Sequence, residues 1–110
     1  MGRDPTAAAR FEAASDGTAR LDGEITFRTV GPLLPLGSDA IAAGRADAID
    51  LAGVTGADSA GLALLIEWLS LARRAGRHLT YRNVPAQLMQ LARLSDVEDL
   101  VLPPSASPQV

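Results

Sequence analysis

Few residues in this chain offer chemistry. Asp58-Ser59 stands in Gly56-Ala57-Asp58-Ser59-Ala60-Gly61-Leu62-Ala63, shortly after an apolar run, Ala48-Ile49-Asp50-Leu51. A serine beside an acid raises nucleophilic catalysis, but the surroundings are not the Gly-x-Ser-x-Gly of a nucleophile elbow. The single histidine, His78, holds no plausible triad position. Asp50 and Asp58 flank the stretch Leu51 to Ala57. Brought close together they would suit a metal or acid–base work. Taken separately, Asp58 caps a helix and Asp50 ends a strand, and this is the preferred reading. His78, with no cysteine and no second histidine near it, is a poor metal site and reads as a solvated residue at a strand start. Gly53 and Gly56 precede a helix, yet neither the dinucleotide pattern Gly-x-Gly-x-x-Gly nor the ATPase loop Gly-x-x-x-x-Gly-Lys-Ser/Thr is present. The sequence predicts a protein that is not an enzyme, with no catalytic residue, metal or cofactor.

Composition narrows the partners. At 110 residues the chain is one domain, with a core of ordinary size. Apolar residues at 47% and charged residues at 21% describe a globular protein. The formal charge is -3, and arginine supplies every basic residue, which leaves no electrostatic footprint for nucleic acid. The absence of cysteine removes disulfides and thiol chemistry and fits a reducing compartment. No apolar run is long enough for a membrane span, so direct membrane insertion is not expected. The start, Met1 to Ala14, has no apolar core of a signal peptide. Gly2 and Thr6 match a bare myristoylation pattern, but Pro5 interrupts it and no basic cluster supplies a second anchor. Residues 1–7 read as a frayed N-terminus, and the stretch from Pro103-Pro104-Ser105 through 104–110 as a polar tail.

The elements that position Asp58-Ser59 follow from periodicity and turn chemistry. Arg10 to Ala14 and Thr18 to Leu21 form a hairpin about Asp16-Gly17, the second strand ending at Ile25. Ile25 to Ala43 has helical character, interrupted by Gly31-Pro32 and Pro35, which predicts a broken or kinked first helix ending at Gly44. Ala48 to Leu51 is a buried strand and Ala52 to Ala57 a tight loop. Ser59 to about Ala75 is a long helix stopped by Gly76, with Arg73, Arg74 and Arg77 at its negative end. His78 to Asn83 is the next strand, Pro85 the first residue of a further helix carrying Leu88, Leu91 and Ala92, and Val97 to Leu102 a short closing segment. The order is ββαβαβα plus a terminal element, which predicts an α/β fold with a small mixed sheet covered by helices.

The helix after Ser59 has more apolar surface than one sheet needs. On a wheel, its leucines, Ile66, Trp68 and Ala72 spread over roughly 220°, where packing on a sheet needs only somewhat more than about 100°. The surplus is covered by other helices or offered to a partner. The beginning of the helix, around Ser59 and Leu62 to Ala63, is the part hardest to cover from within. Small residues there, Ala60, Gly61 and Ala63, admit another chain closely; alternatively they let the helix lie close to its own sheet.

These residues resemble the STAS domain family, the fold of sulfate-transporter and anti-sigma-factor-antagonist domains. The family pattern is a strand ending Asp-Leu-Ser, a short loop, and Asp-Ser/Thr-x-Gly-Leu opening a helix. It stands here as Asp50-Leu51-Ala52 and Asp58-Ser59-Ala60-Gly61-Leu62, with Leu21-Asp22-Gly23-Glu24-Ile25 matching the family's Leu-x-Gly-Glu-Leu. The resemblance covers residues 8–103. Ala52 in place of serine, and Gly31, Pro32, Pro35 and Gly37 in the first helix, depart from the pattern.

Two branches of the family carry different implications. In anti-sigma factor antagonists a partner-switch kinase phosphorylates the hydroxyl residue directly before the motif glycine, a position held here by Ala60. In MlaB-like subunits of the Mla phospholipid ABC transporters the motif continues Gly-Leu-Ala into a leucine-rich helix, as Gly61-Leu62-Ala63-Leu64-Leu65 does. Leu71-Ala72-Arg73-Arg74-Ala75-Gly76 and Leu91-Ala92-Arg93-Leu94 are similar to that form too. This resemblance implies a non-catalytic accessory subunit, cytoplasmic and peripheral at the inner membrane. It would bind and stabilise the MlaF-like ATPase subunit, and through it meet the membrane permease. Asp58, Ser59, Ala60, Gly61, Leu62 and Ala63 would be the partner-binding residues. The alternative is an anti-sigma factor antagonist or partner-switch regulator controlled by a kinase.

Overall fold

The computed structural model describes residues 9–101. The N-terminal pattern around Gly2 and the polar tail lie outside that span, as does Leu102. The chain runs β1 (Arg10–Ala13), β2 (Thr18–Ile25), α1 (Val30–Ala42), β3 (Ala48–Asp50), β4 (Val54–Ala57), α2 (Ser59–Arg74), β5 (Thr80–Arg82), α3 (Ala86–Leu94) and α4 (Glu98–Val101). The α/β class and the small mixed sheet are as the sequence implies. The sheet order is β1-β2-β3-β5; β1 is antiparallel to β2, and the other pairings are parallel.

The hairpin forms where the Asp-Gly turn places it. Gly17 has φ +88°, and Asp16 Oδ1 accepts the Thr18 N–H at 3.0 Å. Along β2 the side chains alternate: Ala19, Leu21 and Ile25 are buried, whereas Arg20 and Glu24 are exposed. That period of two gives the sheet one face toward the helices and one polar face.

Several boundaries differ from the sequence reading. Ala52 to Ala57 is not all loop, because Val54–Ala57 is strand β4, pairing with the second half of β2 from Gly23↔Val54 to Ile25↔Ala57. β2 is eight residues long, and β3 pairs only with Thr18 to Arg20. Its remaining backbone groups need partners, and the chain turns at Leu51 to Gly53 to bring β4 beside them, with a bulge at Thr55 where the register shifts between Gly23 and Glu24. The Gly23 N–H donates to the Gly53 carbonyl at 2.9 Å, at the end of this turn. The first helix begins at Val30 rather than Ile25, since Ile25 is held in β2 and Thr26 to Thr29 form a turn. The helix is a single element: Pro32 falls in its first turn, where an N–H has no intrahelical acceptor, and Pro35 lies on its exposed side. Pro85 is the N-cap of α3, not its first residue. The fourth predicted strand is shorter than His78 to Asn83, and the closing segment is the one-turn helix α4.

Trp68 is the centre of the core. It is fully buried, its indole N–H donates to the Leu34 carbonyl at 3.2 Å, and its ring lies 5.6 Å from that of Phe11 at 58°. Gly37 on α1 faces the indole so closely that a β-carbon there would overlap it. One side chain thus binds α1 and β1 to α2. The apolar surplus of α2 is met on one side by α1 and on the other by α3 and α4. Leu62, Leu64, Leu65, Trp68 and Ala72 are buried, and Ile66, Leu69 and Leu71 are half-buried.

Candidate functional site

The loop-to-helix junction is built around Asp58. Its backbone is extended, with φ -124° and ψ -169°, and its Oδ1 accepts the N–H groups of Ala60 at 2.9 Å and Gly61 at 3.2 Å. These are donors that a helix leaves unpaired in its first turn, so the carboxylate is an N-cap. Oδ2 accepts the Phe27 N–H at 3.2 Å, thirty-one positions away in sequence. One carboxylate therefore holds the start of α2 and the loop that follows β2.

The motif residues divide by direction. Gly61 and Leu62 are buried, Ala60 is half-buried, and Ser59 and Ala63 are exposed. A β-carbon on Gly61 would overlap the carbonyl oxygen of Ile25, which is backbone and cannot swing aside. The close approach at Gly61 is thus between the helix and its own sheet. Ser59 and Ala63 lie one turn apart on the outward stripe, which continues to Glu67. From Ser59 to Ile66 the helix carries no charge. Further along, Arg74 pairs with Glu67 at 3.5 Å and donates to Ser70 Oγ at 2.8 Å, so the outward stripe turns polar.

Asp50 does not share partners with Asp58. Its Oδ1 accepts the Ala52 N–H and the Asn83 side-chain amide, each at 2.9 Å. The Asn83 hydrogen bond first, then that of Ala52, hold the Asp50 carboxyl below the usual aspartate range; partial burial opposes this, and Arg20 and Arg82 assist it. The two arginines flank Asp50 on the neighbouring strands, in register with it. Burial pushes the Tyr81 hydroxyl well above the ordinary tyrosine range. That hydroxyl donates to the Leu65 carbonyl at 2.6 Å, a structural tie between β5 and α2. His78 is exposed, and among the described residues no group of three or more His, Asp or Glu is placed to hold a metal ion. A cavity of about 530 Å³ opens at the other end of α2, lined by Ile66, Leu69, Arg73, Arg77, His78 and Leu100, with none of the motif residues in its wall.

The sequence reading missed Phe27, which it absorbed into the first helix. Phe27 is 72% exposed, and its backbone is tied to Asp58. The signal in the sequence pointed the other way: Phe27 keeps helical spacing with Val30 and Leu34, three and seven positions on.

Residues 9–103 match the family model described as "Mlab, STAS domain". The chain is 33% identical over 86 residues to the intermembrane phospholipid transport system binding protein MlaB of Escherichia coli (strain K12), covering 78% of this chain and 87% of that protein. The MlaB protein of Shigella flexneri matches equally. Among solved structures the fold is similar to the Bacillus cell fate determinant SpoIIAA in its phosphorylated form. The TM-score is 0.62 at 17% identity, over 81% of this chain and 84% of that one. The anti-sigma factor antagonist SpoIIAA in its unphosphorylated form gives 0.61 at 17% identity, over 78% and 82% of the two chains. No helix of the described residues is long and apolar enough to cross a membrane. With the Asp58 cap, the Gly61 contact and this match across nearly the whole chain, the protein belongs to the MlaB family of STAS domains, whose members are non-catalytic.

Proposed function

We propose that this chain is an accessory subunit of a phospholipid-transport ABC complex, binding and stabilising its cytoplasmic ATPase through the first turn of α2. The observation that carries the reading is the direction of Ser59 and Ala63. Both face solvent at the start of a helix whose first two turns are uncharged, while Asp58 fixes that start rigidly. A small, partly apolar patch with one hydroxyl suits a lasting protein contact better than it suits turnover. The named function of the MlaB relatives supports the transport setting. The contact would hold the domain at the inner face of the membrane through its partner, without insertion of its own.

Ser59→Arg tests this. The side chain would place an unpaired charge in the contact, which is costly when desolvated. An unchanged melting curve with loss of ATPase binding in a pull-down supports the reading; retained binding overturns it. A second reading, a kinase-controlled partner switch, draws on the exposed Ser59 hydroxyl, one position before Ala60. Stoichiometric phosphate on Ser59 in cells would favour it.

A further inference from the structure

Phe27 and Arg28 form a preorganised protrusion that the fold itself does not use. Phe27 is 72% exposed, yet its backbone is held firmly. Its N–H donates to Asp58 Oδ2, and the turn around it is closed by Thr29, whose hydroxyl donates to the Glu24 carbonyl at 2.8 Å and accepts the Thr26 N–H at 2.9 Å. The Arg28 N–H donates to Thr26 Oγ1 at 3.3 Å, and the Arg28 guanidinium lies 5.8 Å from the centre of the Phe27 ring. No carboxylate of the described residues pairs with Arg28. The turn is ordered by polar bonds alone, and the aromatic side chain it presents goes to water. Leaving an aromatic ring exposed forgoes burial energy, and fixing it beforehand lowers the entropy cost of a later contact.

We infer that Phe27 is the anchor of the partner contact, entering an apolar pocket on the ATPase subunit whose rim carries a carboxylate for Arg28. This rests on the proposed function and names the side chains that would supply most of its affinity. The shared Asp58 carboxylate places Phe27 and the start of α2 on one continuous surface. The chemistry selects a protein pocket. Aromatic and arginine side chains are the types that dominate interface energies. Asp58 spends its oxygens on three N–H donors, so Arg28 is left as the available charge and calls for an anionic complement. An anionic lipid surface is a poorer fit, because the chain carries a net charge of -3 and one lone arginine is not a basic cluster.

The test is an equilibrium titration of the purified chain against the purified ATPase subunit of the same organism's phospholipid-transport system, with melting curves for each variant. Phe27→Ala should weaken binding by at least about 30-fold. Arg28→Glu should weaken it by about 10-fold, more at low salt than at high. Leu94→Ala, at a site 85% exposed on α3, should change neither binding nor melt. Binding by Phe27→Ala within about 3-fold of the parent overturns the anchor. If Ser59→Arg still abolishes binding in that case, the proposed function survives alone. If the parent chain does not bind, both fall. Should Phe27→Ala lower the melt, Arg28→Glu decides, since the Arg28 guanidinium pairs with no carboxylate of the described residues and faces the exposed Phe27 ring; unchanged binding overturns the inference. Phe27-dependent self-association in sedimentation, or Phe27-dependent co-sedimentation with phosphatidylglycerol vesicles, overturns it as well.

Discussion

The α-carbon of Gly61 lies against the carbonyl oxygen of Ile25, with no room between them for a side chain. This contact sets the depth at which α2 enters the fold, because Ile25 ends β2 and Gly61 stands in the first turn of the helix. It also separates the small residues of the motif into two jobs. Gly61 serves the interior, and Ser59 and Ala63 remain outside.

Gly61→Ala should therefore destabilise the domain by about 2 kcal/mol or more, as overpacking against backbone does. Ala63→Ser, on the exposed stripe, should change stability by less than about 0.5 kcal/mol. Chemical denaturation of the two variants checks this, and equal midpoints would show that α2 can shift away from β2 at no cost.

Asp58→Ala should cost about 1 kcal/mol as a lost cap, with a further loss from the unpaired Phe27 N–H. Asp58→Asn separates the two bonds. Its amide oxygen can still accept from Ala60 and Gly61, but its NH₂ cannot accept from Phe27. The expected result is a stability between those of the parent and Asp58→Ala, with faster amide exchange at Phe27. Protection of that amide equal to the parent's would mean that Oδ2 does not hold the loop.

The parts of this site that the sequence made legible are those with local chemistry. Asp16-Gly17 marks its turn, and Asp58-Ser59 marks its helix start, because the side chain and the backbone it serves are neighbours. β4 was not legible. Val54-Thr55-Gly56-Ala57 has too few apolar residues to alternate, and it is a strand because the second half of β2 lacks any other partner. The start of α1 was hidden for the opposite reason. Ile25 and Phe27 continue the apolar spacing of the helix in sequence, but one closes a strand and the other faces water. Gly37 stood out in the sequence as a departure from the family pattern, yet it is helical and makes room for the Trp68 indole, a contact between residues far apart in the chain.

Asp50 predicts a pH dependence. Its folded carboxyl is held below the usual range, chiefly by the Asn83 amide. A lowered folded pKa contributes stability that is fully present above the unfolded value, about 3.9, and is lost as the pH falls through the folded one. Asn83→Ala should thus destabilise at neutral pH in two parts: the lost pair, worth less than about 1 kcal/mol because it is solvent-facing, and a pH-independent cost of roughly 1 kcal/mol for alanine at the left-handed φ of +56° that Asn83 holds. The first part should fade as the pH falls below the unfolded value and through the folded one, leaving the second. Melting curves across that range check the sign; a gap that widens on acidification would contradict it.

Asp96 predicts a stabilising substitution. Helices α1, α2 and α3 end in the same way, with the amide two residues past the C-cap returning to a carbonyl in the last turn: Arg45 to Ala40, Arg77 to Ala72 and Val97 to Ala92, each at 2.8 Å. This closure requires a left-handed residue between, and Gly44 and Gly76 supply it with φ +76° and +71°. At the third end the residue is Asp96, with φ +61°. A side chain in that conformation costs roughly 1 kcal/mol, and no hydrogen bond to the Asp96 carboxylate offsets it among the described residues. Asp96→Gly should raise stability by about 0.5–1 kcal/mol. Gly76→Ala is the matching control, since a β-carbon there meets no atom within 4 Å and its cost is conformational alone. It should lower stability by about 1 kcal/mol. If Asp96→Gly destabilises while Gly76→Ala behaves as stated, the Asp96 side chain makes a contact in solution that outweighs its backbone strain.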